Sequence, residues 1–170
     1  MLHRILIAGL VVLSFGIGAM ADVHRNEEHQ LEADFPTKVE RLTNPIKEGG
    51  KVVMAFCKDK DLLFMVAVAV EGAEELNPEH TNEFAKGLVD GLMKTRKNAS
   101  ITSEEELKLS DHTPTGSSFV IKHDAGSMFV WATIENNKGY FVLIEAKSEE
   151  GLKTDAVKNF QKSVKITGVK

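Results

Sequence analysis

The chain has 170 residues, 42% of them hydrophobic, with 21 Lys and Arg against 25 Asp and Glu and a net charge of −4. That length fits one domain with a sizeable core, and mild acidity without a clustered basic face argues against nucleic acid as a partner. Cys57 is the sole cysteine, so no internal disulfide can form and packing alone must hold the fold.

Residues 1–21 have the three parts of a secretory signal. Arg4 supplies the positive start, residues 5–18 an apolar stretch, and Ala19 and Ala21 the small-x-small cleavage site. The apolar run is shorter than the roughly 20 residues a spanning helix needs. Cleavage is therefore expected, and with it a secreted or periplasmic protein without a stable membrane span. Removing 21 of 170 residues leaves 149 and, with Arg4 gone, a net charge of −5. Cys57 is expected to be buried and inert, since a reactive thiolate would need a fixed positive setting.

Residues 22–33 are polar and acidic, and the expectation is a flexible tail. Phe35-Pro36 then starts an extended segment, because proline biases the preceding residue away from helix. An edge strand over residues 37–43 is expected to end at Asn44-Pro45, with a turn over residues 47–50. Residues 51–70 carry two β-branched and aromatic runs around the charged break Lys58-Asp59-Lys60-Asp61, the pattern of a hairpin. Neither run alternates with polar residues, so both strands are expected mid-sheet, with apolar material on both faces.

Asn77-Pro78 announces a helix, Asn as cap and Pro at the first helical position. Phe84, Leu88 and Leu92, flanked by Ala85, Val89 and Met93, form its apolar stripe. Gly87 and Gly91 weaken it by roughly 1 kcal/mol each relative to Ala; the expected compensation is close approach to the sheet, against the small Ala67 and Ala69. Residues 101–109, with Glu104-Glu105-Glu106, read as an exposed or edge strand. Three further strands, over residues 118–123, 127–135 and 140–147, are joined by Asp124-Ala125-Gly126 and Asn136-Asn137-Lys138-Gly139, both with hairpin turn chemistry. Thr154 is expected to cap a second helix bearing Val157, Phe160 and Val164. The expected fold is α+β: an antiparallel sheet of six to seven strands between two helices.

Phe35-Pro36-Thr37-Lys38, the Asn77-Pro78 helix, the meander over residues 116–147 and the closing Phe160-Gln161-Lys162-Ser163-Val164-Lys165-Ile166 together resemble the PsbP-like α/β/α sandwich. That fold is shared by the photosystem II extrinsic protein, a yeast Ran-GTPase nucleotide-release factor and many small exported bacterial proteins of unknown function. The resemblance spans residues 34–168 and implies a non-catalytic domain that docks to a partner. No partner-binding residue of those relatives has a match here, and fold alone does not give function.

Cleavage after Ala21 would start the chain Asp22-Val23-His24. A free amine, two deprotonated amides and the imidazole could then hold Cu(II) or Ni(II) in a plane; chance placement of a histidine third in the chain is the bland alternative. No histidine spacing elsewhere matches a zinc set. Ser117-Ser118 lacks the nucleophile elbow, and Asp111-His112 and His123-Asp124 are sequence neighbours that do not orient an imidazole toward a serine. The leading expectation is an exported, non-enzymatic interaction domain with a protein partner and no cofactor. The alternative is a carrier, of Cu(II) or Ni(II) at the amino terminus or of a small apolar ligand.

Overall fold

A computed structural model describes residues 21–46, 50–70 and 76–167. The expected signal segment, including Ala19, lies outside the described residues, and Ala21 is the first of them. Most of the turn expected over residues 47–50 also lies outside.

Among the described residues, ten strands and two α-helices follow in order: β1 (Asp22–Asn26), β2 (Leu31–Phe35), β3 (Glu40–Pro45), β4 (Lys51–Asp59), β5 (Leu62–Val70), α1 (Thr81–Lys94), β6 (Ser100–Leu107), β7 (Gly116–His123), β8 (Gly126–Glu135), β9 (Lys138–Ala146), α2 (Asp155–Ser163) and β10 (Lys165–Ile166). Seven strands form one antiparallel sheet in the order β3-β4-β5-β9-β8-β7-β6, and β1-β2-β10 form a second, smaller sheet. The PsbP-like α+β sandwich is present, and β4 and β5 occupy the interior positions expected from their double-sided apolar pattern.

The expected tail over residues 22–33 is the clearest correction. β1 and β2 pair in register from Asp22↔Phe35 to Asn26↔Leu31. The cause was present in the sequence: Leu31, Ala33 and Phe35 are buried, while Glu32 and Asp34 between them point outward. High acidity masked a strict two-residue alternation.

One face of the large sheet offers Ala55, Phe64, Val66, Trp131, Val142 and Ile144 to a core closed by Leu31, Phe35, Val157 and Phe160. Phe160 stands between Phe35 and Phe64, ring centroids 5.0 and 4.9 Å away, which pins α2 to both sheets. Such aromatic pairs add about 0.5–1.5 kcal/mol beyond their buried area. The other face packs Met65, Ala67, Ala69, Ile121, Val130 and Phe141 beneath Phe84, Ala85, Leu88 and Val89 of α1.

Helix entry follows the expected chemistry at α1, where Asn77 Oδ1 accepts from the Glu79 N–H at 3.0 Å ahead of a 3-10 turn over Pro78–His80. At α2, Thr154 occupies the cap position without a capping bond; its hydroxyl donates backward to the Gly151 carbonyl at 3.0 Å. Gly87 does not serve close approach, since a Cβ there would meet nothing within 4 Å. The accommodating glycine is on the sheet: a Cβ at Gly139 would lie 2.4 Å from Phe84 Cζ. Gly126, with φ +151°, seats the β7–β8 turn against the Ala146 carbonyl, where a Cβ would lie at 2.0 Å.

Two outcomes follow for stability. Gly87→Ala should stabilise the protein by about 0.5–1 kcal/mol in urea denaturation, whereas Gly126→Ala should destabilise it by more than that gain. Tyr140 is the only tyrosine, and burial, aided by Glu135, pushes its phenol up to about 12. An unfolded phenol ionises near pH 10, so this contribution is complete below about pH 10 and falls away toward pH 12, by about 2–3 kcal/mol in total. Phenolate absorbance, which reports this one residue, should show the raised midpoint, and Tyr140→Phe should reduce the alkaline loss of stability.

Candidate functional site

β6 ends the large sheet beside β7, so its other flank carries no ladder among the described residues. Unpaired strand edges accept extended peptides by main-chain hydrogen bonding. Glu104, Glu105 and Glu106 are all exposed on this strand. Glu104 reaches Lys86 of α1 at 3.1 Å, and Glu105 accepts from Ser103 Oγ at the same distance. Glu105 and Glu106 have no cationic partner among the described residues. Beside this edge, at the entry to α1, a shallow groove of about 270 Å³ is lined by Glu79, Asn82, Glu106, Thr115, Ser117 and Glu135 among others, with no lysine or arginine. Glu106 belongs to both edge and groove, whereas Glu105 lies on the opposite side of the pleat.

The most buried charged cluster lies where the end of α1 meets the β7–β8 turn. Arg96 Nη2 donates to Glu145 Oε2 at 2.9 Å, and Glu145 Oε1 lies 3.5 Å from His123 Nε2. His123 Nδ1 accepts from the Ala125 N–H at 3.3 Å, and Nε2 is buried without a hydrogen-bond partner among the described residues. Asp124 adds a bond from its N–H to the Lys97 carbonyl and accepts from Asn98 Nδ2 at 3.0 Å. These bonds fasten the loop after α1 to the sheet. Sequence spacing offers no route to the cluster, because Arg96, His123 and Glu145 meet only when three separate elements pack.

Asp22, Val23 and His24, the expected metal-binding terminus, are the first three residues of β1 and are paired with β2. Asp22 Oδ2 accepts from the Val39 N–H at 3.2 Å, and His24 Nδ1 accepts from Arg41 Nε at 3.3 Å with its ring buried. Burial first, then Arg41, lowers the His24 pKa, with Asp22 opposing. A planar wrap around Cu(II) or Ni(II) requires these amides and this ring to be free, so in the folded chain it would require β1 to unpair. Among the described residues no three His, Cys, Asp or Glu side chains converge as a metal site.

Cys57 is buried, and burial pushes its thiol upward. Ser117 and Ser118 are buried too; the Ser118 hydroxyl donates to the Glu105 carbonyl at 3.0 Å, joining β7 to β6. His80 and His112 are exposed, and the His112 carbonyl accepts from the Ile166 N–H. No helix among the described residues is long and apolar enough to cross a membrane.

No family model matches the chain, and no curated protein does. Among solved structures, the chain is similar to the solution structure of cyanobacterial PsbP (CyanoP) from Synechocystis sp. PCC 6803, with a TM-score of 0.56 and 12% identity. The match covers 93% of this chain and 99% of that one. At that identity the likeness establishes the fold.

Glu145→Gln removes the charge that pairs Arg96 and faces His123. The expected cost is about 1–3 kcal/mol in urea denaturation, with faster hydrogen exchange in residues 95–99 than in β8.

Proposed function

Starting from a PsbP-like sandwich, we propose that this chain is an exported, non-enzymatic docking domain. Its protein partner adds an extended, lysine- or arginine-bearing segment to the open edge of β6. The observation that carries this reading is the eight-residue edge strand with its exposed glutamates beside an equally acidic groove. Charges on a sheet edge also discourage pairing with a second copy of the same chain. The same repulsion favours a strand of opposite sign, so one feature rejects self-association and selects the partner.

A synthetic peptide alternating lysine and valine is a suitable probe, with a glutamate–valine peptide as control. The basic peptide should shift the amide resonances of residues 100–107 and of β7 behind them, and the effect should fade with added salt. Glu105→Lys combined with Glu106→Lys should weaken binding at least tenfold, the equivalent of about 1.4 kcal/mol. Shifts confined to another face, or equal response to both peptides, would remove the β6 edge as the docking surface.

A further inference from the structure

The β1–β2 hairpin closes through residues 27–30, and His29 within that turn is buried, with a side chain only 4% exposed. Neither ring nitrogen has a hydrogen-bond partner among the described residues. A neutral imidazole in this seat leaves one N–H unsatisfied; an imidazolium would leave two, together with a buried charge. The turn is held from outside by its main chain: Tyr140 Oη donates to the His29 carbonyl at 3.0 Å, and Lys138 Nζ donates to the Glu28 carbonyl at 3.2 Å.

Burial and two lysines oppose a proton there, and one carboxylate favours it. Glu28 Oε1 lies 3.5 Å from Nε2 but is already engaged by Lys51 Nζ at 2.9 Å. An imidazolium would add a third cation beside Lys51 from β4, which holds that carboxylate, and Lys138 from β9, which holds the Glu28 carbonyl. Burial is the largest influence and lowers the pKa of His29; Glu28 pulls the other way, and Lys51 and Lys138 lower it further.

We propose that this turn is a proton-operated latch: uptake of a proton by His29 drives the ring into water, lifts the turn off β4 and β9, and lets β1 unpair from β2. β1 is the element poised to leave, since of its five residues only His24 is buried. β2 stays, anchored by Leu31, Ala33 and Phe35 in the core. The opened form therefore presents the outer flank of β2 as a free strand edge, a surface separate from β6 and independent of the docking proposed there.

The sign is fixed by the direction of the shift. A solvated histidine titrates near pH 6.5, and the seated ring titrates lower, so the latch is fully closed above that value. As pH falls from about 6.5 toward the lower pKa of the seated ring, opening increases by at most about tenfold per pH unit, the limit for one proton.

Hydrogen exchange of the full chain, corrected for the intrinsic pH dependence of exchange, tests this between about pH 7 and pH 5. In the unmodified protein, residues 22–30 should open several-fold more at the lower pH while β8 and β9 stay unchanged. His29→Phe, which keeps a ring but cannot titrate, should abolish the rise. A flat profile in the unmodified protein overturns the latch, and so does a rise that persists in His29→Phe. Should that variant not fold, the His29 Cε1 proton resonance of the unmodified protein decides. A midpoint below the ordinary histidine value that tracks opening of β1 supports the latch, and titration with β1 still paired overturns it.

Discussion

A seven-stranded sheet that is apolar on both faces cannot exist uncovered, and that constraint organises the rest of the molecule. Along β8, Met128, Val130, Ala132 and Ile134 point to one side and Phe129 and Trp131 to the other, and all six are buried. Two separate covers are needed, and they differ in kind. α1 lies close over the face that carries the small Ala67, Ala69 and Ala132, its Phe84 ring set against the bare backbone of Gly139. The bulkier face, with Phe64, Trp131 and Tyr140, is closed by α2 and the small sheet together.

That asymmetry places the polar chemistry at the margins of the sheet. With both faces consumed by packing, charge accumulates at edges and junctions: the glutamates of β6, the Arg96–Glu145–His123 cluster at the end of α1, and the histidines of the N-terminal hairpin. The junction cluster ties elements to one another. The β6 edge has no such internal employment, because among the described residues only Glu104 of its three consecutive glutamates meets a cation. An open ladder bordered by unspent negative charge is the edge to which the proposed partner segment would add. The β1–β2 hairpin presents a second edge in a different state, closed by its own first strand and seated through a buried histidine turn.

Much of the architecture was legible in the chain because it depends on local periodicity. The hairpin over residues 51–70 declared its interior position by lacking polar alternation, and the Asn77-Pro78 pair marked the start of α1 by its capping chemistry. Asn136-Asn137 marked a turn because asparagine tolerates the left-handed backbone that both residues adopt. Residues 22–33 differ for a physical reason: in so acidic a segment, the three apolar residues of β2 give too little signal to outweigh its resemblance to disorder. The surroundings of Gly87 are not legible in the same way, because sequence shows that a helix carries a glycine but not which neighbour that glycine faces.

From the sequence by itself came the seven strands of the large sheet, the two helices, the Asn77 cap and the double-sided burial of that sheet, since each is set by neighbours a few residues apart. Tertiary structure alone decided that β1, β2 and β10 form a second sheet, with Lys165 and Ile166 pairing across to Glu32 and Leu31. It alone brought Arg96, His123 and Glu145 into one cluster, and drew His24 into a strand instead of leaving it at a free end. The β10 pairing and the cluster join segments far apart along the chain, and their energy comes from burial that no single segment can achieve, so no local pattern records them; the β1–β2 pairing is local, and only its acidity hides it.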